Sequence, residues 1–233
     1  YAHRNLDTVP PGNEFMSANP DSKSRNHNAV VGYSVALSPT VLNELRLGFN
    51  RFDTLHFGQD FGVDKNNELG IRNGNLAAFP ESSGIAGFAV NPLYGTGAPG
   101  WTNAQRLANT YQLTNGTSWM RGSHTFKFGV DIRRIESTLT NPEGSGRGTF
   151  TFQRGITSNQ GVGGSEFGSF LLGYPSTVFR SLVNTRPAVR ITQAGFYFQD
   201  DYGVNQKLTL NKGLRRDAYT APVDKHNRQV NFN

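Results

Sequence analysis

Along residues 125–133 apolar and polar side chains alternate without a break. Phe126, Phe128, Val130 and Ile132 fall on one side of an extended chain, and Thr125, Lys127, Gly129, Asp131 and Arg133 fall on the other. Successive side chains of a strand point to opposite faces, so this spacing suits a β-strand with one dry and one wet face and suits no helix. The same period recurs in 42–53, where Leu45, Leu47 and Phe49 oppose Glu44, Arg46, Gly48 and Asn50. It recurs again in 189–200, where Ala194, Phe196 and Phe198 oppose Gln193, Gly195, Tyr197 and Gln199, and in 207–219 through Leu208, Leu210 and Leu214. A chain with 27 Gly, 17 Phe and 8 Tyr has the residues that strands and turns favour.

Further strands are expected at 30–37, at 149–153 with Phe150 and Phe152 on one face, at 178–183, and from Asn109 through Tyr111, Leu113 and Trp119. Ser38-Pro39, Arg121-Gly122-Ser123 and residues 201–205 are expected to turn. Phe167, Phe170, Leu171 and Tyr174 keep a helical spacing that Gly173 and Pro175 close, which predicts one short helix in 164–173. Seven or eight strands paired as consecutive hairpins make an all-β, antiparallel up-and-down meander. Such a pattern fits part of a transmembrane β-barrel and, alternatively, a soluble β-sandwich.

Residues 1–29 are polar, broken by Pro10-Pro11-Gly12 and Asn19-Pro20-Asp21, and are expected to form a loop or extension ahead of a partial barrel domain at 30–233. Within it, 54–106 carries repeated turn signals, among them Asn73-Gly74-Asn75 and 95–100, and reads as one long loop. Loops of that length are uncommon in compact domains, whereas outer-membrane barrels carry long loops on one side and short turns on the other.

Several functions are disfavoured. Without cysteine there is no disulfide, thiolate metal site or cysteine nucleophile. The net charge is +6, but Lys and Arg are scattered singly, so no nucleic-acid partner is expected. No stretch reaches the roughly 20 apolar residues of a spanning helix, which leaves a membrane barrel open because its strands need only about 9–11. Tyr1-Ala2-His3-Arg4 is not a signal peptide, and the absent initiator Met suggests a mature or excised fragment.

His3, His27, His56, His124 and His226 show no metal-ligand spacing. The run 64–68 departs from a calcium loop because its glycine is Gly70, one place late, and no acid closes it. Residues 161–165 lack a P-loop ending, and Ser34 sits inside a strand run where a nucleophile elbow needs a sharp turn. Asp200 and Asp201 are adjacent, hence on opposite faces if extended, and suit a solvated turn better than an acid pair. No catalytic site, cofactor or metal is expected, and the chain reads as a non-enzyme. The rival to that reading is a soluble β-rich binding module or hydrolase.

The segment Gly195-Phe196-Tyr197-Phe198-Gln199-Asp200-Asp201-Tyr202, followed by Leu208-Thr209-Leu210-Asn211 and Gly213-Leu214-Arg215, resembles a strand pair of TonB-dependent receptor barrels. Ser38-Pro39-Thr40 with 43–48, then 121–129 with Asp131-Ile132-Arg133-Arg134, then 170–175, keep the order of the Oar-like subgroup. The resemblance covers about residues 30–230. It implies a bacterial outer-membrane receptor that takes up a small ligand of unknown kind, driven by the TonB complex through a plug domain. Arg46, Lys127, Asp131 and Arg133 would then be lumen-facing candidates, and outer-membrane lipid would meet the apolar face. The family's plug and 22 strands exceed 233 residues, so a barrel fragment is expected. Lys212 and Arg216 stand where the family has an apolar and an aromatic residue, so either they sit near a rim or this strand does not face lipid.

Overall fold

A computed structural model describes residues 2–8, 21–90, 94–97, 102–140, 146–181 and 186–228. Its strands are β1 (Ala2–Thr8), β2 (Asp21–Ser38), β3 (Val41–Phe57), β4 (Gly87–Val90), β5 (Tyr94–Thr96), β6 (Ala104–Arg121), β7 (His124–Thr140), β8 (Thr149–Phe152), β9 (Thr177–Phe179), β10 (Ala188–Asn205), β11 (Leu208–Tyr219) and β12 (Val223–Asp224). Two short helices, α1 (Lys65–Glu68) and α2 (Glu166–Leu171), lie in the connections.

The main sheet runs β1-β2-β3-β6-β7-β10-β11, with β12 beside the start of β10, and every pairing in it is antiparallel. Its hairpins close at Pro39-Thr40, at Gly122-Ser123 with Gly122 at φ +60°, and at Gln206-Lys207. The expected meander is therefore present. The pattern's sandwich alternative is not: Tyr33 and Leu214 stay 62% and 77% exposed, where a sandwich would cover that face with a second sheet.

Cross-strand partners share a face, so the register shows how the alternations combine. Val31, Leu47, Leu113, Ile132 and Ala194 form one row, and Tyr33, Leu45, Asn115, Val130, Phe196 and Arg216 form the next. Toward the short turns the rings of Trp119, Phe126 and Phe198 follow one another at 5.5 and 5.9 Å. At the other end of this apolar belt Phe49 meets Tyr111 at 5.2 Å. Polar side chains within the belt satisfy one another: Asn43 donates to Asn115 and Thr117 at 3.2 and 2.8 Å.

Strands β2, β3, β6, β7 and β10 are 17 or 18 residues long. At about 3.3 Å per residue each spans roughly 55–60 Å, whereas an apolar band of about 25 Å crossed at about 40° uses only ~33 Å of strand. The remainder stands beyond the belt, wet on both faces. This explains why the sequence undershoots. β2 begins at Asp21 and β1 occupies 2–8, so much of the expected N-terminal loop is strand; Asp21 to Asn28 carries no apolar residue to mark a face. Likewise β6 starts at Ala104 ahead of Asn109, and β10 continues through 201–205, where a turn was expected. Of the strand expected at 178–183, Thr177–Phe179 forms and residues 180–181 do not continue it; 182–185 lie outside the described residues.

The long connection is 58–103, and it is not a bare loop. Together with 146–181 it folds into a second sheet, β5-β4-β8-β9, in which β4 and β8 pair in parallel, unlike the meander. Phe88 stacks on Phe150 at 5.6 Å and Phe152 meets Phe170 edge-on at 5.2 Å, around buried Ala86 and Val90. α2 forms as expected, its first turn capped by the Ser165 hydroxyl accepting from the Gly168 N–H and its end released by Gly173 at φ +70°. The fully buried Asn66 joins the two connections. Its amide donates to the Arg147 carbonyl at 3.0 Å and accepts from the Ala86 N–H at 2.8 Å.

Removing that amide strands the Ala86 N–H and the Arg147 carbonyl, each costing about 1–3 kcal/mol when buried without a partner. Asn66→Ala should therefore open the 58–103 body to limited proteolysis while leaving the main sheet protected.

Gly116, Gly129 and Tyr197 are consecutive in one row, and the Tyr197 ring lies across both glycines. A Cβ on Gly116 would meet only the Tyr197 hydroxyl, at 2.9 Å, whereas one on Gly129 would meet the ring at 2.8 Å and also the Asn115 backbone carbonyl. Overpacking of this kind costs about 1–3 kcal/mol. Gly129→Ala should lower the denaturant midpoint in both backgrounds, while the smaller cost of Gly116→Ala should vanish when combined with Tyr197→Phe.

Candidate functional site

The face opposite the apolar belt carries the charges. One row reads Gly32, Arg46, Thr114, Asp131, Gly195 and Asp217, and the next reads Val30, Gly48, Gln112, Arg133, Gln193 and Tyr219. Arg46, Lys127, Asp131 and Arg133 all stand on this face. Asp131 accepts from Gln112 and from Arg133, both at 3.0 Å, and Arg46 lies two strands away in the Asp131 row, 3.5 Å from Glu44. Lys127 is set apart by the Tyr197 row and pairs with Asp201 at 2.9 Å. Arg215 and Asp217 pair at 2.9 Å on β11.

Asp131, Arg133, Gln193, Arg215, Asp217 and Tyr219 surround a shallow depression of about 80 Å³. The acids and bases alternate at two-residue spacing, so each charge has an opposite neighbour on its own or the adjacent strand. This wall can hold water, a polar solute or another polar protein surface. It offers no nucleophile set beside a base.

The two adjacent aspartates point to opposite faces, within a strand and not in a turn. Asp201 joins Lys127, while Asp200 emerges on the apolar side, where His124 Nδ1 lies 3.0 Å from both carboxylate oxygens and the His124 ring stacks on Tyr202 at 4.2 Å. The sequence reading missed this pair, although Asp200 is in phase with Phe196 and Phe198. Lys212 is the cross-strand partner of Asp200, near the short turns, and Arg216 is the partner of Phe196, in the middle of the belt. One of the two odd cations is thus at a rim and the other is not.

Elsewhere the weighed motifs have structural roles. Asp64 caps α1 by accepting from the Asn67 N–H, Ser34 lies in mid-strand, and Asn159 and Val162 close a turn before Gly163. Among the described residues no three His, Asp or Glu side chains come together as a metal site. Beyond the belt, Asp224 is held far below the usual carboxylate range, first by the Arg228 guanidinium at 3.0 Å and then by the Ala188 N–H at 2.9 Å. Burial pushes the Arg147 guanidinium down, opposed by the charge of Asp60.

No solved structure matches the chain. The "TonB-dependent transporter Oar" of Myxococcus xanthus is 31% identical over 134 residues, which cover 54% of this chain and 12% of that protein. The chain thus matches about an eighth of that transporter's length. The family model described as "Outer membrane beta barrel domain" matches residues 1–233, and a match over the whole chain shows the family. The chain belongs to the outer membrane beta barrel domains, and its place is the bacterial outer membrane.

Proposed function

We propose that this chain is one wall of an Oar-like, TonB-dependent uptake barrel, with its charged face lining the lumen and its apolar face against lipid. The observation that carries the reading is the division of one continuous sheet into an aromatic belt and a hydrogen-bonded charged wall. In an outer-membrane barrel the outward side chains form an apolar band and the inward ones are polar. Arg46, Lys127, Asp131 and Arg133 then face water or a plug domain, and the 58–103 and 146–181 body stands on the side away from the short turns. The partial likeness to a TonB-dependent transporter supports coupling to the energy-transducing complex. An uptake role needs binding surfaces and no chemistry, which agrees with a wall that pairs every acid with a base.

Nitroxide labels in the full-length protein in vesicles test the faces. Labels at Phe126, Phe128, Val130 and Ile132 should be relaxed by oxygen, and labels at Lys127, Asp131 and Arg133 by a water-soluble nickel chelate. Equal response along β7 would sink the assignment. Coupling is read separately, by whether a photocrosslinker in the full-length protein captures TonB; failure to capture it would remove the TonB arm while leaving the barrel.

Arg216 supplies a second test. A cation facing lipid near the midplane costs about 2–4 kcal/mol, falling to roughly 0–1 near the interface. Arg216→Trp should raise the denaturant midpoint in lipid clearly more than Lys212→Leu, because Lys212 lies at the rim. The reverse order would contradict the placement of the belt.

A further inference from the structure

Within the 58–103 body, residues 62–64 and 75–83 form the two walls of a cleft of about 310 Å³. Val63, Leu76, Ala77, Phe79 and Pro80 line it with carbon, and the exposed Asp64 is the one charged side chain among the lining residues. The volume is twice the roughly 150 Å³ that holds a benzene ring and lies at the small end of ligand clefts. Hydrogen bonds behind the walls hold the cleft in shape. The Gly84 N–H donates to the Val63 carbonyl and the Gly62 N–H to the Ser83 hydroxyl, both at 2.8 Å, which ties one wall to the other. The Leu76 N–H donates to the buried Ser82 hydroxyl, and that hydroxyl to the Phe79 carbonyl, both at 2.7 Å, which fixes the turn that carries Leu76, Ala77 and Phe79. Asn75 donates to the Gly84 carbonyl and accepts from the Asn66 N–H, both at 2.9 Å. A cleft already ordered in this way binds without immobilising its own side chains, a cost that flexible sites bear on association.

Charge decides what such a cleft accepts. Residues 58–84 contain four acids, Asp60, Asp64, Glu68 and Glu81. Glu68 pairs with Lys65 at 2.7 Å, Glu81 pairs with Arg186 at 2.5 Å, and Asp60 lies in the field of the buried Arg147 guanidinium. Asp64 makes no ion pair among the described residues and accepts from the backbone and side-chain amides of Asn67. Those bonds leave its negative charge uncancelled beside an apolar cleft. A cation brought next to it is attracted and an anion is repelled.

We propose that this cleft binds a compact apolar group that carries a positive charge, an aromatic ring or branched alkyl chain within one or two carbons of an amine. The apolar part lies between Val63, Leu76 and Phe79, and the ammonium lies against Asp64. The cleft thereby names the chemistry that a molecule taken up from outside presents to the 58–103 body, and it rests on the uptake reading for that purpose alone. Quencher data on β7 that contradict the barrel wall leave binding in the cleft as it is, whereas failure of binding here leaves the wall standing.

Saturation-transfer NMR on the full-length protein in detergent, with empty micelles as the blank, follows three probes of one shape: 2-phenylethylamine, 2-phenylethanol and 3-phenylpropionate, which are cationic, neutral and anionic at pH 7. An exposed ion pair is worth a factor of up to about five. The amine should therefore bind about three- to fivefold tighter than the alcohol, and roughly tenfold tighter than the carboxylate, which Asp64 repels. Asp64→Asn removes the charge and keeps the cap on α1, since Asn and Asp cap helices about equally well. It should abolish the advantage of the amine and leave the affinity of the alcohol unchanged. Ala77→Trp fills the cleft and should weaken all three probes by about fivefold or more. Resistance of the 58–103 body to limited proteolysis checks that each variant has folded; if Ala77→Trp opens the body, Ala77→Leu takes its place, with a loss of about twofold or more. Absence of binding by every probe, equal affinity for the three, an amine preference that survives Asp64→Asn, or binding indifferent to a folded Ala77 variant would overturn the proposal.

Discussion

A strand that crosses a bilayer finds no water for its backbone, so every N–H and C=O inside the hydrocarbon must be answered by a neighbouring strand. The rest of this molecule follows from that demand. It keeps the antiparallel ladder in register from β2 to β11, apart from shifts beside the turns at Ser38 and Asn205, and thereby keeps every row of side chains on one face. The Asn43 and Asn115 amides, which stray into the belt, obey the same rule by bonding to each other.

How much of this could be read from the residues depends on where water ends. Within the belt one face is apolar and the other polar, so the two-residue period is plain in β7, in β10 and in the first half of β3. Past the belt both faces are wet, and the strand is held by its ladder with no side-chain signature, which is why Asp21 to Asn28 looks like loop. The parallel pairing of β4 with β8 joins residues some sixty apart through four-residue strands, too short for a period to show. α2 was legible because a helix announces its ends, here through Ser165 and Gly173.

For the charged wall, spacing alone could assign Lys127, Asp131 and Arg133 to a common face, since they sit on one strand. That Arg46 joins the Asp131 row depends on how β3, β6 and β7 are staggered, which one sequence does not state. The same limit hid the partnership of Asp200 with His124, seventy-six residues apart. Isolated motifs say little for a local reason: an aspartate ahead of a short polar helix serves equally as a calcium ligand or as a cap, and Asp64 is a cap.

The 58–103 and 146–181 connections share one buried core, with Asn66 of the first bonded to the backbone of Arg147 in the second. Two loops bolted together in this way cannot fluctuate independently, so under the proposed uptake role a molecule arriving from outside would meet a surface whose shape is already decided. Immobilising side chains on association ordinarily costs about 0.5–1.5 kcal/mol for each flexible one. Here folding has already spent part of that entropy, and in the proposed role recognition would be a matter of fit and of opening rate more than of ordering.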